Sequence, residues 1–190
     1  MKRSKRERII DGAVLLFNEY GIHKVTVQEI CDCSGASKGT FYKYFANKDD
    51  LLAVICAQLA EGGAKGFVDI MAQRQGFKAV VEDVLTLKRQ LMGRYHRRFL
   101  IDLYQCDNPQ VQKTLKKMHE DSRQNAMAMY ELGIKESKIN PRITPEFFVY
   151  QLEIVEKTRT DPRVIQIYPD ETERNMVVFG QFFYGLLSRE

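Results

Sequence analysis

Two opposite helix-boundary signals stand almost next to each other near the N-terminus. Gly35 is suited to end a helix, because glycine readily adopts the left-handed conformation that often follows a helix. Ser37 is suited to begin one, since a serine hydroxyl accepts a backbone N–H at a helix start. Ala36 alone separates them, so the sequence predicts two short helices joined by a very tight turn.

Apolar residues at helical spacing lie on both sides of this turn. A first helix is predicted over residues 3–20, and a second begins at Thr26, where Glu29 completes a capping box. The third runs from residue 38 to about residue 44. The residues that these helices and the next one turn inward are Ile9, Ala13, Leu16, Phe17, Tyr20, Val27, Ile30, Cys31, Ser34, Phe41, Phe45, Leu51, Leu52, Ile55 and Leu59.

Helical spacing continues to the C-terminal end. Asn47 is predicted to cap a longer fourth helix, in which Gly62, Gly63 and Gly66 favour a bend or a slide point. Further helices are predicted over residues 77–92, around 95–103, and over 108–138, 145–160 and 170–188, with a linker at 162–169. The predicted fold class is therefore all-α. We expect residues 1–46 to form an N-terminal three-helix domain and residues 47–190 a C-terminal helical domain.

Charge and hydropathy exclude several classes of protein. The net charge of +4 is small, and it is carried by the first eight residues, which hold five basic side chains and one acidic one. Such a basic end can pair with phosphate, although many basic N-termini are simply solvated. No segment approaches the roughly 20 continuous apolar residues of a membrane-spanning helix, and no signal peptide is recognised. We expect a cytoplasmic protein without a membrane partner.

The four cysteines do not form a metal-site pattern. Cys31 and Cys33 are followed by no second pair at zinc-binding spacing, and the three histidines are far apart in the sequence. In a reducing cytosol we expect free thiols that pack as small apolar residues. Metal or redox sensing by Cys31 and Cys33 is the alternative. The sequence also lacks a glycine-rich phosphate loop and a nucleophile elbow, so we predict no enzyme, no cofactor and no metal.

Three short helices with a tight glycine-containing turn between the second and third are typical of a helix-turn-helix. The third starts with small and polar residues, which enter a major groove without obstruction, and tyrosines that can reach phosphates follow. Residues 25–52 and the helix before them resemble the DNA-binding domain of the tetracycline-repressor (TetR) family. The residues that carry the resemblance are Ala13, Leu16, Phe17, Tyr20, Gly21, Val25, Thr26, Ile30, Ser37, Gly39, Thr40, Phe41, Tyr42, Tyr44, Phe45, Asn47, Lys48, Leu51 and Leu52.

The resemblance implies a homodimeric, sequence-specific transcriptional regulator that binds double-stranded operator DNA. A repressor is expected, with activation and a ligand-independent architectural or chromosome-organising role as alternatives. The first residues of the third helix would face bases and phosphates, and the tyrosines that follow would face phosphates. The DNA-contacting residues implied in this way are Thr26, Gln28, Ser37, Lys38, Gly39, Thr40, Tyr42, Lys43, Tyr44 and Lys48.

The C-terminal domain is expected to bind an unknown small-molecule effector that releases the operator, and to form the dimer. A regulator of this kind should enclose an apolar cavity within residues 60–160, whereas an architectural protein need not. The candidate pocket residues, apolar or phenolic, are Phe99, Leu103, Met127, Tyr130, Phe147 and Tyr150. Two late helices rich in phenylalanine need more cover than one chain supplies. Their predicted dimer residues are Phe148, Leu152, Met176, Phe179, Gly180, Phe183 and Leu187.

Overall fold

The regular structure of this chain is helical. A computed structural model describes residues 3–73 and 76–186, and no β-strand occurs within them. The helices are α1 (Lys5–Tyr20), α2 (Val27–Ser34), α3 (Lys38–Tyr44), α4 (Lys48–Ala72), α5 (Phe77–Met92), α6 (Arg97–Gln105), α7 (Pro109–Lys135), α8 (Pro145–Thr160), α9 (Pro162–Ile167) and α10 (Glu171–Leu186). The all-α prediction is confirmed.

The predicted boundaries of the short helices are confirmed by their capping hydrogen bonds. The Thr26 hydroxyl accepts from the Glu29 N–H, and the Glu29 carboxylate accepts from the Thr26 N–H, as a capping box requires. Gly35, which ends α2, lies in the left-handed region with φ of 64°. Ser37 caps α3, because its hydroxyl accepts from the Thr40 N–H. Local sequence therefore determines where α2 ends and α3 begins.

The chain forms two compact units. Unit 1 contains the described residues up to 62 together with 91–118, and unit 2 contains those of 63–90 and from 119 onwards. Unit 1 thus includes α6 and the start of α7 besides the first three helices and the first half of α4. The predicted functional boundary after residue 46 stays a prediction.

The core of unit 1 is built around aromatic rings. Phe17 of α1, Phe41 of α3 and Phe99 of α6 are fully buried, and the rings of Phe17 and Phe99 stack with their centroids 5.9 Å apart. The Tyr95 ring stacks on Phe99 at 5.3 Å. Because burial of such rings is worth about 1.5–3 kcal/mol each, these contacts fix α6 against α1.

The core of unit 2 joins its own helices. Phe148 of α8 packs between the rings of Tyr130 and Phe182, at 5.3 Å and 5.6 Å. The buried Tyr130 hydroxyl donates to the Ile143 carbonyl at 2.7 Å, which satisfies its polar end. On α10, the Phe179 ring lies 4.4 Å from the Lys88 ammonium.

The α4 glycines serve helix packing. The helix continues through Gly62, Gly63 and Gly66 without interruption. A Cβ atom on Gly66 would lie 2.6 Å from both Cδ atoms of Leu87, and one on Gly62 would lie 3.1 Å from a Cδ of Leu91. The absence of a Cβ at Gly66 thus allows α5 to pack closely, while the bend or slide point expected at these glycines stays a prediction.

By length and composition alone α4 is long and apolar enough to cross a membrane, with a mean hydropathy of 1.4 in its most apolar stretch. The sequence analysis predicted no membrane-spanning helix, because no segment approaches the roughly 20 continuous apolar residues of one. In the structure, its Leu51, Leu52 and Ile55 are buried in the core of unit 1. The apolar face of this half of α4 thus packs inside the protein.

Two helix predictions need correction near the C-terminal end. The linker expected at 162–169 contains α9, which Asp161 caps and Pro162 opens. This is the same pattern of cap and proline that correctly predicted the start of α8 at Thr144. The helix predicted to reach residue 138 ends at residue 135, where Ser137 adopts a φ of 56°.

Candidate nucleic-acid interface

The turn between α2 and α3 is closed by backbone hydrogen bonds. The Ala36 N–H donates to the Cys31 carbonyl at 3.0 Å, and the Gly35 N–H donates to the Asp32 carbonyl at 3.4 Å. Ile30 and Phe41 are fully buried beneath the turn. The angle between the two helices is therefore set by a short turn over a packed core, as in a helix-turn-helix.

One face of α3 is polar and exposed. Phe41 and Phe45 turn into the core, while Tyr42 and Tyr44 are 55% and 38% exposed. Lys38 and Lys43 are exposed as well. The two aromatic pairs thus lie on opposite sides of the helix, as the sequence predicted, and the outer side presents two phenol groups and two ammonium groups to solvent.

The start of α3 offers little steric obstruction. Ser37 and Gly39 are exposed, and the atom nearest to a Cβ placed on Gly39 would be the Ser37 hydroxyl, 3.9 Å away. The hydroxyls of Ser37 and Thr40 lie 3.0 Å apart and share a hydrogen bond. A DNA base edge or phosphate can approach this end of the helix closely.

Thr26 and Gln28, also predicted to contact DNA, are exposed but already engaged within α2. The Thr26 hydroxyl donates to the Glu29 carboxylate at 2.7 Å, and the Gln28 amide donates to the Asp32 carboxylate at 2.8 Å. The hydrogen bonds from the backbone and side chain of Thr26 lower the pKa of Glu29, and Lys48 adds to this effect. The carboxylate of Glu29 therefore stays ionised at neutral pH.

The Lys48 ammonium is engaged within the chain, and its predicted contact with DNA stays a prediction. Its ammonium donates to the carbonyls of Ile22 and Val25, both at 2.8 Å. Two of its three N–H groups are thereby used within the chain, where the sequence prediction had them available for phosphate.

The segment that connects α1 to α2 is also hydrogen-bonded to α6. The Ile22 N–H donates to the Asp102 carboxylate at 2.7 Å, and the Arg98 guanidinium donates to the Glu19 carbonyl at 3.0 Å. Sequence analysis missed these residues, because Asp102 is 80 residues from Ile22 and no local pattern marks it.

The basic N-terminal segment is partly tied to the fold. Asp11 accepts from Arg3 and from Arg94, each at 2.7 Å, and the Arg6 guanidinium carbon lies 5.6 Å from the centre of the Phe45 ring. Lys5 and Arg8 are exposed. This segment therefore keeps positive charge at the surface while α1 remains anchored.

Comparison with known proteins agrees with this geometry. The sequence profile of the family described as bacterial regulatory proteins, tetR family, matches residues 9–55, which hold most of α1, all of α2 and α3, and the first turns of α4. Residues 9–55 therefore belong to the tetR family of bacterial regulatory proteins.

Curated regulators and solved structures are similar to longer parts of the chain than residues 9–55. The HTH-type transcriptional regulator UidR of Escherichia coli K12 is 28% identical over 116 residues, which cover 60% of this chain and 58% of UidR. The ketosteroid transcriptional regulator KstR2 of Mycobacterium tuberculosis superposes with a TM-score of 0.71 over 100% of this chain and 98% of its own, at 15% identity. A complex of SmeT with triclosan gives 0.72 over 98% and 93%, at 13% identity. The last two likenesses show the TetR fold.

The predicted effector-pocket residues lie in different environments. Phe99 and Leu103 are fully buried in the core of unit 1. Tyr130 is buried in the core of unit 2, and Phe147 is exposed. Met127 and Tyr150 line an open groove of about 620 Å³ between α7 and α8. Helix-level resemblance could not distinguish these environments.

The predicted dimer residues differ in their exposure to solvent. Phe148 and Phe179 are buried within their own chain, so they have little surface to give to a partner, whereas Met176 is exposed and Gly180 has open space around it. Leu152 is partly buried. The side chain of Phe183 and the whole of Leu187 lie outside the described residues. A different set of large apolar side chains is exposed on the same two helices, here called the α8–α10 surface: Phe147, Tyr150, Met176 and Val177.

Proposed function

We propose that this chain is a sequence-specific transcriptional repressor that reads operator DNA with α3. The observation that carries the proposal is the polar outer face of α3, held outward because Phe41 and Phe45 anchor its inner face. A short helix presented in this way fits the major groove of B-DNA. The family membership and the name of the relative UidR support a regulator rather than an enzyme.

Two kinds of contact are proposed along α3. Lys38 and Thr40 lie at its exposed start, where side chains reach base edges, so they carry sequence preference. Phosphates are proposed to be bound by the phenol and ammonium groups of the next exposed residues, Tyr42, Lys43 and Tyr44. Ser37 and Gly39 allow the backbone to approach the groove. Thr26 and Gln28 are proposed to lie at the groove edge.

The experiment that tests this proposal is selection of operator sequences from genomic fragments, followed by measurement of affinity at several salt concentrations. Tyr42→Ala should weaken binding about tenfold on every selected sequence, whereas Lys38→Ala should relax the preference at one base position. Tyr104→Ala is the matched control, because Tyr104 is equally exposed but lies on α6. Unchanged binding by a folded Tyr42→Ala, Lys43→Ala double variant would contradict the assignment of α3.

We further propose that the protein binds DNA as a homodimer in the cytoplasm, with two recognition helices reading half-sites. Support comes from the large apolar side chains exposed on α8 and α10, since burial of such side chains against a second copy would remove apolar area from water. Twofold symmetry would give pseudo-palindromic operators with half-sites about one DNA turn (~34–36 Å), or multiples of it, apart.

Release by a small-molecule effector is also proposed. It is supported by the fold shared with SmeT, whose structure contains triclosan. No particular residues of this chain are proposed to bind the effector. A ligand that weakens operator binding tenfold must prefer the non-binding conformation by about 1.4 kcal/mol. Titration of the operator complex with amphipathic compounds tests this. If every compound leaves the affinity unchanged, the ligand-independent architectural role becomes the better proposal.

A further inference from the structure

The connection between α1 and α2 is held at a single residue from two distant helices. The N–H of Ile22 donates to the Asp102 carboxylate of α6 at 2.7 Å. The carbonyl of the same residue accepts from the Lys48 ammonium of α4 at 2.8 Å, and Lys48 also donates to the Val25 carbonyl at 2.8 Å. Both polar groups of this one residue are therefore bound by charged side chains.

Residues 21–25 lie between α1 and α2, so helical hydrogen bonds do not determine their path. Gly21 ends α1 with φ of 87°, and a Cβ there would lie 2.8 Å from the Asp102 carboxylate, so the carboxylate rests directly against the glycine. Ile22 and Val25 are buried, and Thr26, the next residue, caps α2. Because the turn to α3 is short, the path of residues 21–25 determines where the recognition helix lies.

The α6 side of this contact is itself fixed to α1. The Asn18 amide donates to the Arg94 carbonyl at 3.0 Å, and the His96 N–H donates back to the Asn18 side chain at 2.8 Å. Asp102 is thus presented by a helix that is anchored at several points. Hydrogen bonds with a charged partner are stronger than neutral ones, so a fixed carboxylate and a fixed ammonium hold the connection firmly.

We infer that Lys48 and Asp102 are positioning residues for DNA recognition: they clamp the α1–α2 connection, and neither contacts DNA. The inference rests on the proposed DNA-binding function and deepens it. It assigns Lys48 a role other than the phosphate contact expected from sequence. It also implies that α6, through Asp102, helps to position the helices that bind DNA. A substitution 80 residues away from Ile22 is then expected to weaken operator binding.

Salt dependence separates the two roles of a lysine. A lost phosphate contact lowers the slope of log affinity against log salt by about 0.9 for each subunit of the bound dimer, whereas a lost positioning contact lowers affinity at unchanged slope. Lys48→Met should therefore weaken binding roughly tenfold with the wild-type slope, and Lys48→Arg, which can still donate to both carbonyls, should restore most of it. Lys43→Met is the matched comparison and should lower the slope. A slope lowered in Lys48→Met by as much as in Lys43→Met would overturn the inference.

Asp102 gives an independent test. Asp102→Leu removes the acceptor and should weaken operator binding roughly tenfold and speed hydrogen exchange at the Ile22 amide. Asp102→Asn keeps an acceptor oxygen and should stay within about threefold of wild type. Asp107→Leu, an exposed change beyond the end of α6, serves as control, and all variants are compared well below their melting temperatures.

The outcomes distinguish the inference from the proposed function. Wild-type protein that selects no duplex DNA would overturn the proposed function and the inference with it. Wild-type binding accompanied by unchanged affinity in Asp102→Leu would overturn the inference alone.

Discussion

At the scale of the residue, burial separates the cysteine thiols. Cys33 is exposed, whereas Cys56 is fully buried, and burial raises the pKa of the Cys56 thiol to about 11, with a smaller contribution from Cys106. Because the thiolate is the reactive form, iodoacetamide at pH 8 should modify Cys33 in the folded protein and Cys56 only after unfolding. Mass spectrometry of peptides from native and denatured samples measures this. Equal labelling of both cysteines in the native sample would contradict the structure.

The residues that sequence analysis assigned correctly are those whose partners lie nearby in the chain. The capping pair of Thr26 and Glu29 is three residues apart, and the alternation of Phe41 with Tyr42 is a property of one helix. Lys48 and Asp102 act through partners 26 and 80 residues away, which no local pattern reveals. Their roles require knowledge of how α6 packs on α1.

At the scale of the element, a glycine of α7 provides a sharp test of packing. A Cβ on Gly133 would lie 2.5 and 2.6 Å from Ile139 atoms and 2.9 Å from the Phe77 ring. Both neighbours are buried, so Gly133→Ala forces them to move and should lower the free energy of unfolding by about 1–3 kcal/mol.

The control for this prediction is Gly39→Ala in α3. Its added methyl group meets only the Ser37 hydroxyl, at an ordinary contact distance of 3.9 Å, so the better helix propensity of alanine should leave the stability unchanged or slightly raised. Urea unfolding of the two variants and the wild type gives the comparison. A Gly133→Ala variant as stable as Gly39→Ala would show that α7 and its C-terminal turn pack more loosely than described.

Helix boundaries were predictable to within a few residues wherever a cap or proline marks them. The start of α8 at Thr144 and Pro145 is such a case, and α9 was missed although Asp161 and Pro162 repeat the pattern. The consequence of Gly66 was not predictable, because its close neighbour Leu87 comes from another helix. Local signals thus define elements, while the contacts between elements depend on packing.

At the scale of the whole molecule, the all-α fold class was predictable from sequence, whereas the surroundings of the candidate pocket residues were not. The candidate pocket residues were chosen by helix and by type. Phe99 and Leu103 proved to be core residues of unit 1, whereas Met127 and Tyr150 line a groove in unit 2. Assignment of such residues requires the division of the chain into units, which no single segment encodes.

The homodimer provides the last prediction. Large apolar residues are exposed on both α8 and α10, and we propose that a second copy covers them by twofold symmetry, so that each substitution acts twice at the interface. Val177→Glu should therefore yield monomers at micromolar concentration in sedimentation velocity, and these monomers should lose most of their operator affinity because one half-site is read at a time. Val68→Glu is the control, since Val68 is a valine of α4 that is 64% exposed, against 37% for Val177. A Val177→Glu protein that sediments like wild-type dimer, or a Val68→Glu protein that becomes monomeric, would place the interface elsewhere.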